Sequence, residues 1–272
     1  MGVLLLIWVI MARPGRDLKL IFCDVGQGDA ILISRGKFQM LIDTGPKKGG
    51  VMSCLAKHIP FWDREIEVVV NTHPQVDHFG EMGEVMSHYQ IGELLVSGEL
   101  PVGKVMENIY KTIKENQIRQ YRVKKGDRIR YGDLSFDVLW SGQNGGPQIL
   151  GKSTDNNEGA IVLALHSPAM SALFTSDIGE SQELALKEEG VLTQVDILKV
   201  AHHGSKFSSS LAFDEIVKPK WAVVSVGARN SYGHPAAETL KRFDILGASV
   251  LRTDKRGEIA FESDGKRLWV IE

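Results

Sequence analysis

The chain predicts an α/β fold built in layers, and three observations carry that prediction. Short apolar or β-branched runs recur along it, as at Val68–Val70, Ala172–Thr175 and Val195–Val200. Helix-compatible patterns such as 49–60 and 104–117 lie between them. Several of the runs end in polar loops rich in His or Asp, and strand-helix alternation of this kind gathers such loops at one end of a sheet.

The bounds are those of an ordinary globular protein: 272 residues, 43% hydrophobic and 24% charged, enough for a full core without staples. A formal net charge of -2 gives no global attraction to polyanions, so any nucleic-acid contact rests on a local patch. Cys23 and Cys54 pair only if the fold brings them together, and neither sits in a metal-ligand spacing.

Residues 3–12, VLLLIWVIMA, are apolar throughout, but a helix of that length spans about 15 Å against a hydrocarbon core of about 30 Å. Three readings stand: the tail of a longer membrane helix, which is preferred, a short anchor, or a buried N-terminal element. Residues 1–16 form this segment, and 17–272 a separate folded domain.

From Leu18 the elements can be taken in order. Strands around Leu18–Phe22, Ala30–Ile33 and Phe38–Ile42 form an antiparallel meander, with a Gly-rich turn across Asp24–Asp29. Asp43 follows in IDTG, where a carboxylate caps a turn or orients a ligand. A short helix ends near His58, which reads as a helix C-terminal residue rather than a ligand.

The stretch 65–81, EIEVVVNTHPQVDHFGE, is the centre of the argument. Three valines make a strand buried on both faces, and then His73, Gln75, Asp77 and His78 crowd the following loop. Imidazole and carboxylate groups converging from one short loop are what a borderline divalent cation takes.

A helix near Glu81–His88 and a strand at Glu93–Val96 come next. Between Lys104 and Arg130 the basic residues outnumber the acids. The plain reading is a solvated charged face; the alternative is a phosphate-tracking surface with Tyr110, Tyr121 and Tyr131 stacking on bases. A hairpin spans 126–140.

Three further strand ends repeat the pattern. Asp177 follows Ala172–Thr175 and reads either as an N-cap or as a carboxylate bridging metals. His202 and His203 follow Val195–Val200, and Asn230, Tyr232 and His234 follow WAVVSVG. Histidine is a poor choice for a cap or turn, so a shared metal site explains all four ends better than chance.

The ordered set FCDVGQGDAILI, LIDTG, THPQVDHFG, DNNEGAIVLAL, LFTSDIG, LKVAHHGSKFSSS and VVSVGARNSYGHP resembles the metallo-β-lactamase-fold domain at the C-terminal end of ComEC competence proteins, which import DNA across the bacterial cytoplasmic membrane. The likeness covers nearly everything from Lys19 onward. It implies an αββα sandwich with the metal site at its top edge, and it makes the apolar start the end of a membrane helix, with the domain on the outer face.

Carried over by motif, the resemblance implies metal binding by His73, Asp77, His78 and Asp177, with His202 or His203 completing the set and the choice between them open. His234 is a further ligand or the acid for the leaving group, and Asp77 the group that orients or deprotonates water. Asp24, Gln27, Asp29, Asn156, Ser205 and Asn230 are candidates for substrate binding, with Asp43 and Gln75 supporting the ligands. Gln75 stands where the superfamily usually has His, and 153–158 lacks a histidine common in this fold. Both changes enrich the site in oxygen, which favours one or two manganese or magnesium ions over zinc.

The expected activity is metal-assisted phosphodiester hydrolysis on one strand of incoming DNA, beside a membrane channel on the same or a neighbouring chain. Two alternatives are a DNA-handling module with a weakened site and a hydrolase of small esters or lactams on the same fold.

Overall fold

A computed structural model describes residues 17–98, 104–142 and 159–271. The apolar segment 1–16 and Asn156 lie outside the described residues. Among the described residues, no helix is long and apolar enough to cross a membrane.

Two twisted sheets face each other. The strands of the first are β1 (Leu18–Phe22), β2 (Ile31–Arg35), β3 (Phe38–Ile42), β4 (Glu65–Asn71), β5 (Gln90–Val96) and β6 (Arg119–Arg122). The second holds β7 (Arg128–Tyr131), β8 (Leu134–Trp140), β9 (Val162–His166), β10 (Ser171–Phe174), β11 (Ile197–Lys199), β12 (Trp221–Val224) and β13 (Ser249–Arg252). The chain then returns to the first sheet with β14 (Ile259–Ser263) and β15 (Leu268–Ile271). The spatial orders are β15-β14-β1-β2-β3-β4-β5-β6 and β13-β12-β11-β10-β9-β8-β7.

Strand periodicity of two explains the layering. Leu20, Phe22, Met40, Ile42, Val68 and Val70 point inward to the core between the sheets. Their neighbours Ile21, Leu41 and Val69 point outward, under the helices Val51–His58, Met82–His88 and Lys104–Glu115. The second sheet repeats this, with Leu173, Leu198 and Val224 packed beneath the helices Glu180–Glu188, Leu211–Val217 and Ala237–Ile245. The result is the αββα sandwich of the metallo-β-lactamase fold.

The antiparallel meander of β1, β2 and β3 forms as expected. One expectation changes. Of the four His- or Asp-bearing strand ends, three come from the adjacent parallel strands β10, β11 and β12, whereas β4 lies in the facing sheet. The site is therefore assembled across the sandwich, at the edge where both sheets present strand C-termini. The Ile161 amide donates to the Thr72 carbonyl at 3.0 Å, stitching the sheets together beside it.

Cys23 and Cys54 form a disulfide with a Cα–Cα distance of 5.8 Å, tying the end of β1 to the helix Val51–His58. His58 closes that helix and meets Glu258 at 2.7 Å, so it acts as the structural residue its position suggests.

Candidate metal centre

His73 and His78 leave β4 on a tight loop in which the Gln75 carbonyl accepts the amides of His78 and Phe79, at 2.9 and 3.1 Å. Gln75 thereby starts the single helical turn Val76–Phe79 that swings Asp77 and His78 under the second sheet. Gly28 lies against the Asp77 carbonyl with φ +137°, where a Cβ would collide with that oxygen, so the DVGQGD loop docks directly on the histidine loop.

The imidazoles are fixed by their Nδ1 atoms. His78 Nδ1–H donates to Asp43 at 2.8 Å. His203 Nδ1–H donates to the Ser225 carbonyl at 2.9 Å. For His73 the tautomer follows from a chain of donors: the Thr72 hydroxyl donates to Asp43 at 2.6 Å, and the Ser176 hydroxyl donates to Thr72 at 2.8 Å. Both hydroxyl protons are thus committed, and His73 Nδ1 donates to these oxygens, each 3.1 Å away.

All three Nε2 atoms are buried and have no hydrogen-bond partner among the described residues, and the His73 ring lies 4.0 Å from that of His78. Leaving such an atom buried and unmatched costs about 1–3 kcal/mol, so three together mark a site built for something else. Asp177 Oδ2 lies 3.3 Å from His78 Nε2 and 3.4 Å from His203 Nε2, while Asp77 Oδ2 lies 3.9 and 3.6 Å from the same atoms. Three imidazole nitrogens and two carboxylates fit a divalent cation.

The electrostatics agree. Burial alone would lower the pKa of His203, but Asp177 and Asp29 outweigh it and raise it to about 9. His78 likewise rises well above its ordinary value against burial, through Asp177 and Asp43. A cation entering here displaces protons that Asp177 otherwise holds on these rings. Burial lowers His73 well below its ordinary value, and the neighbouring His78 adds to the effect, so His73 offers a free lone pair at neutral pH.

A family model described as the metallo-beta-lactamase superfamily matches residues 23–228. The chain belongs to the metallo-beta-lactamase superfamily. Among curated relatives of this superfamily domain, ComE operon protein 3 of Bacillus subtilis is 28% identical over 261 residues, covering 88% of the chain and 32% of that protein. Competence protein ComA of Neisseria gonorrhoeae is 25% identical over 251 residues, covering 92% and 33%. The chain spans about a third of the length of these relatives. Among solved structures, the metallo-beta-lactamase fold protein YhfI from Bacillus subtilis superposes with a TM-score of 0.59 at 10% identity, over 90% of the chain and 100% of that protein, a likeness of fold.

Within this metallo-beta-lactamase superfamily domain, the sequence-predicted residues separate into groups. Asp77, His78, Asp177 and His203 converge as described, the His73 ring packs 4.0 Å from that of His78, and Asp43 accepts the His78 Nδ1–H. Asp177 is no helix cap: Gly179 occupies that position. Of the histidine pair, His203 faces Asp177, whereas the His202 ring lies 6.4 Å from His203 and 5.8 Å from His234. Both residues have left-handed backbone, φ 49° and 54°, which turns the two side chains in different directions.

The residues that the sequence offers for substrate binding are held in several different ways. Asp29 is buried against Lys199 instead of facing outward, because a carboxylate in this core needs a cation. Asn230 spends its amide on its own loop, donating to the carbonyls of Gly227 and His234 at 2.9 and 2.8 Å and accepting the His234 amide at 3.0 Å. Ser205 is buried and accepts the Phe207 amide at 3.3 Å. Asp24 is exposed and caps the turn at Gly26, and Gln27 accepts the Gly227 amide at 3.4 Å.

The rim carries features that the motifs alone did not single out. Tyr232 is 70% exposed and stacks on His234, with ring centroids 5.8 Å apart. Phe207 is 68% exposed, with the Lys206 ammonium 4.9 Å from its ring centre. Gly204 meets Pro235 so closely that a Cβ there would fall 2.5 Å from the proline Cβ, which holds the two rim loops together.

The basic segment divides. Lys111 pairs with Glu115, Arg119 with Glu93, Arg128 with Asp137 and Lys125 with Glu189, as a solvated charged face does. Tyr131 stacks on Phe38 at 4.2 Å, at the end of β3 remote from the site, and so is a packing residue. Arg122, Lys124 and Lys125 nevertheless line a cavity of about 530 Å³ with Ser97 and Ser141. Val96 pairs with both Asn71 and Arg122, which puts this cavity at the same sheet edge as the histidine loop.

Proposed function

We propose that the chain is a metal-dependent phosphodiesterase that cleaves single-stranded DNA during DNA uptake, beside a membrane channel on the outer face of a bacterial cytoplasmic membrane. The observation that carries the metal-dependent part is that the Nδ1-anchored imidazoles of His78 and His203 turn unpartnered Nε2 atoms onto Asp177, with the His73 ring, its Nε2 also unpartnered, packed 4.0 Å from His78.

His73, His78, Asp177 and His203, with Asp77, would hold one or two divalent ions, and manganese or magnesium is favoured over zinc because Gln75 stands where the superfamily usually has a histidine. Bound there, the metal supplies Lewis-acid stabilisation of phosphoryl oxygens and lowers the pKa of water. The protein's own groups take the remaining roles. Burial raises the pKa of Asp77, but His203, 3.6 Å away, and the charge of His78 outweigh it and bring it down to about 2. So weak a base orients the attacking water rather than deprotonating it. Its side chain is 28% exposed, enough to meet a substrate. Burial lowers the pKa of His234, with His202 adding to the shift, so His234 is neutral at pH 7 and donates a hydrogen bond to the departing oxygen.

Three features favour single-stranded DNA as substrate. Tyr232 and Phe207 are exposed stacking platforms at the rim, and stacking is worth about 1–3 kcal/mol per base. The cavity lined by Arg122, Lys124 and Lys125 offers phosphates a basic track at the same edge. Competence proteins are among the relatives. The Cys23–Cys54 disulfide favours an oxidising compartment, in keeping with the outer face of the membrane.

A second reading, a DNA-handling module with a weakened centre, draws on Gln75, whose amide is a weaker ligand than imidazole. The test is cleavage of labelled single- and double-stranded oligonucleotides with manganese, magnesium or zinc, beside the His73→Ala/Asp77→Ala variant and the Phe207→Ala/Tyr232→Ala variant. The account expects single-strand cleavage that vanishes in the first variant and loses affinity in the second. A wild type that binds ions yet leaves every oligonucleotide intact would establish the weakened-module reading.

A further inference from the structure

We propose that Lys199 is a resident cation of the centre: its ammonium neutralises Asp29 and holds the outer oxygen of Asp177, which keeps Asp29 from ligating and confines divalent-ion binding to the imidazole side. The inference rests on the reading that the centre holds a divalent ion.

Lys199 ends β11 and is 1% exposed. Its Nζ donates to the Ser176 carbonyl at 2.8 Å, pairs with Asp29 Oδ2 and lies 3.4 Å from Asp177 Oδ1. Three acceptors thus surround the three donors of an ammonium. A buried lysine without such partners would be strongly disfavoured, so this geometry holds the charge in place.

By proximity alone, Asp29 belongs to the ligand set, since atoms of Asp29, His78, Asp177 and His203 lie within 4.8 Å of one another. Its oxygens approach the wrong edges of the rings. Asp29 Oδ2 is 3.8 Å from His78 Nδ1, and Oδ1 is 3.8 Å from His203 Nδ1. Both of those nitrogens already donate, to Asp43 and to the Ser225 carbonyl. The lone pairs available to a metal are on Nε2, at the other edge of each ring. Asp177 bridges the two regions: Oδ1 turns to the ammonium and Oδ2 to the Nε2 atoms. Lys199 therefore orients Asp177 as a positioning residue, and it occupies the place beside Asp29 that a second metal ion would otherwise take.

The test counts ions. Protein stripped with EDTA and reconstituted with manganese is analysed for metal content and titrated calorimetrically with manganese chloride, for wild type, Lys199→Met and Asp29→Asn/Lys199→Met. In Lys199→Met, two carboxylate groups lose their counter-charge, so either one further ion binds or affinity rises by about tenfold or more. In the double variant the count returns to that of wild type. Unchanged count and affinity in a folded Lys199→Met protein overturns the proposal. Where Lys199→Met does not fold, the double variant decides: wild-type ion content supports the proposal, and loss of the ion shows Asp29 to be a ligand and overturns it. A wild type that takes up no ion overturns both this inference and the metal reading. No DNA enters the measurement, so failure of the nuclease reading alone leaves the ion counts standing.

Discussion

Asp43 accepts the Nδ1–H of His78 at 2.8 Å, and both side chains are fully buried. The same carboxylate accepts the Thr72 amide and hydroxyl at 2.8 and 2.6 Å, so one residue sets the tautomers of His78 directly and of His73 through Thr72 and Ser176. Asp43 has a left-handed φ of 59°, a conformation that Asn also tolerates. Asp43→Asn therefore keeps the backbone and weakens the anchor. The expected result is a 10- to 100-fold loss of metal affinity, roughly, with the fold retained, read by manganese titration beside circular dichroism.

The two adjacent histidines are expected to separate cleanly. His203→Asn removes a nitrogen that faces Asp177, so the metal content of the purified protein falls. His202→Asn leaves metal content unchanged and lowers turnover, because that ring neighbours His234 at the rim. Asn is chosen for both because it accepts the left-handed backbone. Elemental analysis beside steady-state kinetics distinguishes the two, and equal metal loss in both variants contradicts the assignment.

The disulfide closes a separation of 31 residues between β1 and the helix Val51–His58. Cys23→Ser/Cys54→Ser is expected to lose about 3 kcal/mol of stability in urea unfolding. Metal binding by the variant under native conditions should match wild type, since neither cysteine touches the histidines.

A pH effect on stability is expected away from the centre. Asp214 is buried with neither carboxylate oxygen hydrogen-bonded, and burial followed by the charge of Glu183 raises its pKa to about 8. A carboxyl whose folded pKa is raised contributes stability that is fully present below about pH 4 and is lost as pH rises through 8. Asp214→Asn should therefore flatten the fall in melting temperature between those values and stabilise the protein at pH 8. Parallel melting curves for wild type and variant leave Asp214 without this role.

Much of this was legible in the sequence because strands and their polar ends obey local rules. The valines of β4, the meander and the loops bearing His73, Asp177 and His203 follow from periodicity and residue type. The division of the strand ends between two sheets did not, since the pairing of β4 with β3 and of β10 with β11 is non-local. Lys199 was silent for a related reason. Within ILK it reads as an outward-facing strand residue, and only the opposing Asp29, from a loop far away in the chain, explains its burial. The choice between His202 and His203 depended on two left-handed residues that no propensity predicts. Asn230 and Asp29, offered by the motifs for substrate binding, are also used to build the loop and the core that hold the site, and those partners are non-local or lie within one irregular loop.

The central claim is that the imidazole and aspartate cluster hydrolyses DNA with a bound divalent ion. Its most direct test is cleavage of a labelled single-stranded oligonucleotide by EDTA-stripped protein as manganese is added back, for wild type and for Asp177→Asn. The account predicts no cleavage before addition, recovery that saturates as the ion fills the site, and no recovery in Asp177→Asn. Cleavage by the stripped protein, or equal recovery in the variant, would contradict it.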